Sequence, residues 1–344
     1  MIQLTKGNLL EVEAEALVNT VNCIGHMGKG IALQFKKAFP DNYKEYASAC
    51  KAGNVRPGKM FIFETRSMWD PKYIINFPTK RHWKGNSKIE DIKSGLKALI
   101  KELQKRNIKS VAVPPLGCGL GGLDWKTVRT LITKAFNEAP DVNVMLFEPT
   151  GTPKAGSMPV RTKKPGMTVA RALFIRLIKS YSKLAYRLTL LEVQKLAYFL
   201  QEAGEPLKLK YKKAHYGPYA HNLNKVMEIL ESHYIRGYGD TQKPDVEIEL
   251  LPEASDVAGK YLSKHKNSVS RLNKVTELIQ GFETPYGMEL LSSVHWIAKH
   301  ESRPAKNQQE AVQMIHLWND RKKKMFVPDH IEVAWNWLYE CGWV

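Results

Sequence analysis

Val18-Asn19-Thr20-Val21-Asn22-Cys23-Ile24-Gly25-His26-Met27-Gly28-Lys29-Gly30-Ile31-Ala32 reads as a short apolar strand, a loop with three glycines, and a helix that opens near Gly30. The same order returns at Val111-Ala112-Val113-Pro114-Pro115-Leu116-Gly117-Cys118-Gly119-Leu120-Gly121-Gly122-Leu123, with a helix opening near Asp124. A strand–glycine loop–helix unit suits an anion. Glycine lets the main chain come close, and the N–H groups of the loop and helix start hold the charge. Two such loops at the carboxyl ends of strands in one sheet can hold a diphosphate from both sides. The first loop does not fit G-x-G-x-x-G, and the second lacks the Lys-[Ser/Thr] of a P-loop. Dinucleotide Rossmann and NTPase sites are therefore disfavoured.

Around these loops the first half alternates strands and helices. Ile2 to Lys6 and Ala16 to Val21 read as strands, and Ile31 to Ala38 as a helix ending before Pro40. Asp41 is placed to cap a helix running through Cys50. Met60 to Phe63 and Tyr73 to Phe77 read as buried strands. Ser87, with Glu90 three residues on, reads as a capping box. The helix after it, to about Arg106, carries Ile89, Ile92, Leu96, Leu99, Ile100 and Leu103 on one face. Val111 to Val113, a helix from Asp124 to Asn137, and Val142 to Phe147 complete an α/β sheet covered on both faces.

Residues 151–168 are rich in Pro, Gly and Lys and read as a flexible linker. From Val169 the pattern is mostly helical, with helical periodicity over about 223–231, 256–264, 269–281, 286–300, 307–318 and 330–340 and no internal repeats. The expected division is thus 1–150, 151–168 and 169–344.

The 344 residues carry a net charge of +18, and basic residues exceed acidic ones in both halves. That balance fits a solvated basic surface or salt-sensitive attraction to a polyanion. No apolar run is long enough to span a bilayer, and the chain does not open on a basic-then-apolar signal segment. Cys23, Cys50, Cys118 and Cys341 show no C-x-x-C spacing. A reduced, cytoplasmic chain is expected, without metal, cofactor or membrane partner.

Lys80 is the residue marked for chemistry. It follows a strand and Pro78, at the carboxyl end where α/β sites lie. A lysine amine there can attack an opened ribose carbon if burial or nearby cations lower its pKa, or it can act as a cation. Read alone, it is as well a surface lysine beside Arg81 and Lys84. His26 and His82 lack a carboxylate at a recognisable spacing and read as loop residues. Cys118 reads as a small residue that fits its loop.

Gly7-Asn8-Leu9-Leu10, the Val18-to-Asn22 strand end, Gly28-Lys29-Gly30-Ile31-Ala32 and the Pro115-to-Gly122 loop give the first half a resemblance to macrodomains, the ADP-ribose-binding fold. Asn76-Phe77-Pro78-Thr79-Lys80-Arg81-His82-Trp83 is similar to the branch that removes ADP-ribose from carboxylate or DNA adducts, and within it to the DarG antitoxin family. The resemblance implies reversal of thymine ADP-ribosylation in single-stranded DNA by a DarT-like toxin. Lys80 is then catalytic. Asn22 meets the distal ribose. Gly28, Lys29, Gly30 and Ile31, with Leu116, Gly117, Cys118, Gly119, Leu120 and Gly121, wrap the diphosphate and distal ribose. Asn8 and Leu9 lie near the adenine, and Asn19 and Thr79 complete the ligand shell. Two departures stand out: Asn8 replaces an aspartate common at the adenine, and Gly121 occupies the place of a catalytic aspartate, with Asp124 three residues later.

In the second half, Leu191-Glu192-Val193-Gln194-Lys195-Leu196-Ala197-Tyr198-Phe199 and Ala214-His215-Tyr216-Gly217-Pro218-Tyr219 resemble the helical antitoxin domain of Panacea or SocA-type proteins. This implies contact with the cognate toxin rather than catalysis. Taken alone, Tyr216-Gly217-Pro218 reads as a helix-start turn. An ADP-ribose-binding module without catalysis, and a deacylase of ADP-ribose esters or proteins, are the alternative functions.

Overall fold

The computed structural model describes residues 1–149, 158–182, 188–239 and 247–344. Its backbone contacts divide into a first unit, Met1–Lys164 together with Gly239, and a second that takes the other described residues from Pro165 on. Part of the expected linker, 151–157, lies outside the described residues. Further along it, Arg161 is tied to the first unit. Its N–H donates to Lys37 O at 2.9 Å, and its guanidinium sits 5.3 Å from the Phe39 ring centre.

The first unit holds β1 (Ile2–Thr5), β2 (Ala16–Asn22), α1 (Gly30–Ala38), α2 (Pro40–Lys51), β3 (Phe61–Glu64), β4 (Tyr73–Lys80), α3 (Ile89–Lys105), β5 (Ser110–Val113), α4 (Trp125–Phe136) and β6 (Asn143–Phe147). The sheet order is β1-β6-β5-β2-β4-β3. All neighbours are parallel except β3, which runs antiparallel to β4. Parallel strands covered on both faces need apolar residues on both sides. One side packs Val18, Ile75, Phe77, Val111 and Val113 against α3 and α4, and the other packs Leu17, Ile74 and Ala112 against α1. The α3 stripe Ile92, Leu96, Leu99, Ile100 and Leu103 is buried, as its spacing predicts.

Four local readings are corrected. Ser87 does not cap α3: Lys88 holds the N-cap position, and no side chain caps there. Asp41 does not cap α2; it lies in the first turn after Pro40 and pairs with Lys44 at 2.8 Å. Phe61, Ile62 and Phe63 are only half-buried, because β3 is the sheet's edge. β4 runs on through Pro78 to Lys80, where a strand ending at Phe77 was expected. Proline is tolerated there because the last β3 partner is Phe61, opposite Asn76, so beyond it β4 pairs with β2 alone.

The second unit is mainly helical: α5 (Val169–Ser182), α6 (Leu190–Glu202), α7 (Leu223–Leu230), α8 (Ala254–Leu262), α9 (Lys266–Leu278), α10 (Pro285–Lys299), α11 (Gln308–Trp318), α12 (Asp320–Met325) and α13 (Pro328–Glu340). It also holds two small hairpins, β7 (Tyr211–Ala214) with β8 (Gly217–Ala220), and β9 (Ile235–Arg236) with β10 (Glu249–Leu250). Tyr216-Gly217-Pro218 therefore belongs to a β-hairpin, not a helix start. The strands of four residues or fewer are too short for a periodicity signal to reveal.

Candidate active site

Lys80 owes its position to an irregularity in the sheet. Val21 pairs with Pro78, but Asn22 pairs with Lys80, so Thr79 is an extra residue on β4. Such a bulge bends the strand and re-aims the side chain that follows. Thr79 is buried, and its hydroxyl bonds Val21 O at 3.5 Å. Beyond it the Lys80 amine donates to the main-chain carbonyl of Leu120 in the second glycine loop. Burial lowers the Lys80 pKa from its ordinary value.

The two glycine loops meet. A Cβ on Gly30, at the start of α1, would stand 3.3 Å from the Leu120 side chain. Gly119 by contrast has open space around its Cα. Gly121 does not: a Cβ there would lie 2.2 Å from both Gly117 O and Ser87 Oγ. Steric exclusion accounts for the missing aspartate, since no side chain fits at Gly121. Asp124 does not replace it. Its carboxylate caps α4, accepting from the Thr127 N–H and hydroxyl at 2.8 Å each, and those bonds lower its pKa.

Asn22 organises the first loop. Its Oδ1 accepts from the N–H groups of Ile24 and His26 at 3.1 and 3.3 Å, and its Nδ2 donates to His26 O. Tyr46 of α2 fixes the same residue, donating to Asn22 O at 2.6 Å. Asn19 is not part of the groove lining. It is fully buried and donates to Asn76 Oδ1 at 3.0 Å, while Asn76 donates to Asn42 at 2.7 Å. It sits in a buried asparagine cluster with Asn76 and Asn42.

Asn8 Oδ1 caps a short 3-10 turn through Leu10 N–H at 3.0 Å, and its Nδ2 reaches Met158 Sδ at 3.5 Å. Leu9 is buried beside it. Gly28 and Leu116 are buried, Lys29 precedes α1 in extended conformation, and Ile31 packs partly on the core. Burial pushes the thiols of Cys23 and Cys118 up to about 11 each, so both stay protonated at neutral pH.

Three supporting residues escape sequence reasoning. Tyr46 and Ser87 act through main-chain neighbours, which no spacing rule reveals. Asp91 takes both Nε and Nη2 of Arg81, at 3.2 and 3.1 Å, ten residues along the chain.

In the second unit the structure joins the two resembling segments. Gln194 pairs with both main-chain groups of Ala220, at 3.1 and 3.0 Å, and buried Lys195 donates to Pro218 O at 2.7 Å. Lys195 is pushed down to about 7, first by burial and then by Lys322. Glu289 accepts from Lys322 at 2.7 Å and from Arg321 at 2.6 and 3.1 Å. Sequence spacing gave no metal cluster, yet Glu202, His295 and His300 come within 4.8 Å of one another. Their donors are engaged by the protein: His295 Nδ1 with the Tyr198 hydroxyl at 2.7 Å, His300 Nε2 with Glu202 at 3.1 Å.

A mixed six-stranded sheet whose strand ends carry two facing glycine loops and a placed lysine defines a macrodomain, and the Macro domain family matches residues 18–132. Across the whole chain the likeness is more particular. The DNA ADP-ribosyl glycohydrolase of Thermus aquaticus is 44% identical over 342 residues, covering 99% of this chain and 94% of that one. The protein of that name from Mycobacterium tuberculosis is 39% identical over 351 residues, covering 97% and 98%. The chain belongs to the DNA ADP-ribosyl glycohydrolase family. Among solved structures, the macrodomain of Mycobacterium tuberculosis DarG matches at 52% identity and TM-score 0.43, over 44% of this chain and 99% of that one.

Proposed function

We propose that this protein hydrolyses the N-glycosidic bond between ADP-ribose and thymine in single-stranded DNA. The observation that carries the reading is Lys80: an amine of lowered pKa, bonded to the carbonyl of Leu120 where the two glycine loops meet. The loops serve as the ADP-ribose cradle. The amine adds to C1″ of the opened ribose, the thymine nitrogen leaves with a proton, and water hydrolyses the resulting Schiff base. ADP-ribose and free lysine are regenerated. The test is incubation of the full chain with ADP-ribosylated single-stranded DNA. Release of ADP-ribose together with intact DNA supports the reading, and no release refutes it. Borohydride trapping of a Lys80 adduct during turnover separates covalent catalysis from a purely electrostatic lysine.

The second unit serves as the toxin-binding part. A relative from Thermosipho africanus, 35% identical over 163 residues, is a DNA ADP-ribosyl transferase–DNA ADP-ribosyl glycohydrolase fusion protein, so both activities share one chain there. Residues 1–150 and 169–344, expressed separately beside the transferase, test the division. Hydrolysis belongs with the first, and capture of the transferase with the second. Failure of a folded 169–344 fragment to bind removes the second task.

A further inference from the structure

The four residues after Lys80, Arg81-His82-Trp83-Lys84, lie outside both glycine loops and take no part in the hydrolysis outlined above. They form a defined turn. Gly85 N–H donates to His82 O at 3.1 Å, and Lys84 N–H to His82 Nδ1 at 3.2 Å. The bidentate bond from Arg81 to Asp91 fixes the turn at its base. His82 stacks on Trp83 at 5.5 Å and 27°, and His26 of the first glycine loop stands 5.8 Å from the same indole. The Lys84 amine is 5.1 Å from the indole centre. Arg81, His82 and Lys84 are exposed and Trp83 is half-buried. From Lys80 to Lys88 the chain has four cations and no acid.

ADP-ribose carries its charge on one diphosphate, which the glycine loops already suit. A second surface of cations and stacked rings beside the amine matches a polynucleotide. Aromatic faces take any base by stacking, and cations beside them follow the phosphates. We propose that this turn, with His26, is the DNA-strand subsite: it holds the single strand flanking the modified base, stacking a nucleobase on the Trp83–His82 pair and placing a phosphate at Lys84. The strand is single because bases within a duplex present no free face to a ring on a surface turn. This assignment rests on the DNA-linked substrate proposed above.

The full chain is assayed on two substrates, a short ADP-ribosylated single-stranded oligonucleotide and ADP-ribosylated thymidine monophosphate. Loss of one stacked base is expected to raise KM on the oligonucleotide about tenfold more in Trp83→Ala than on the mononucleotide. Trp83→Phe restores most of the loss, and Lys84→Ala flattens the salt dependence on the oligonucleotide alone. An equal rise on both substrates, or no rise on either, overturns the subsite. If the parent chain releases ADP-ribose from neither substrate, the hydrolase reading falls and the subsite is judged by binding. Unchanged affinity of the Trp83→Ala/Lys84→Ala double variant for an unmodified oligonucleotide, measured by fluorescence anisotropy, then overturns it.

Discussion

The amine of Lys80 donates to the main-chain carbonyl of Leu120, joining the end of β4 to the second glycine loop. The bond ties the proposed catalytic group to the proposed cradle through a main-chain atom. Lys80→Ala is expected to abolish ADP-ribose release from DNA while calorimetry shows ADP-ribose affinity within about twofold of the parent, since the loop contacts remain. Turnover at the parent rate would remove Lys80 from the mechanism.

Burial disfavours the charged amine, so the folded pKa of Lys80 lies below 10.5. A nucleophile must be neutral. The single-turnover rate is therefore expected to rise with pH and level off below 10.5. Lys80→Arg keeps the charge but never deprotonates, and is expected to be as inactive as Lys80→Ala. An active arginine variant would show that charge alone suffices.

Gly119→Glu tests the cradle. Nothing lies within 4 Å of a Cβ at this position, so the variant is expected to fold, but it places a negative charge at the proposed diphosphate site. ADP-ribose affinity is expected to fall at least about a hundredfold, equivalent to about 2.7 kcal/mol. A folded variant that binds as before would move the anion site elsewhere.

Gly121→Asp tests the steric account of the missing aspartate. With a Cβ 2.2 Å from Gly117 O and Ser87 Oγ, the substitution must push the loop apart. It is expected to lower stability by about 1–3 kcal/mol in denaturant titration and to gain no activity. A stable, faster enzyme would contradict the geometry.

Lys195 makes the second unit pH-sensitive. Its folded pKa of about 7 lies below the 10.5 of an exposed lysine, so between these values the unfolded chain binds the extra proton. Stability is therefore expected to increase as pH rises through that window. Lys322, pushed down to about 8, adds a slope of the same sign, so Lys195→Met should reduce the dependence seen in thermal melts of the full chain, and an unchanged slope would assign it to Lys322 or another group.

What the sequence made legible was whatever depends on periodicity and on glycine. The α3 stripe and the longer helices of the second half follow from spacing and the two loops from their glycines, while the six-residue α12 is too short to show a period. The boundary at Phe77 failed because a proline reads as a stop, whereas the structure leaves Pro78 unopposed by β3. At Asn19 a polar residue at a strand end looks like a ligand contact, and only three dimensions show it bonded to Asn76, which in turn bonds Asn42. Ser87 failed because Ser-x-x-Glu fits a cap, while the folded chain uses its side chain to floor Gly117 and Gly121. Such errors share a cause: neighbours brought together from distant parts of the chain leave no pattern along it.

The Gln194 and Lys195 side chains grip the β7–β8 hairpin only through the main-chain atoms of Ala220 and Pro218. A grip of that kind is blind to what the hairpin displays. Tyr216, 41% exposed at its tip, leans instead on Arg321, whose guanidinium lies 4.6 Å from its ring and in turn holds buried Glu289. A change of side chain at the tip therefore leaves the grip itself in place and is felt first at that ion pair.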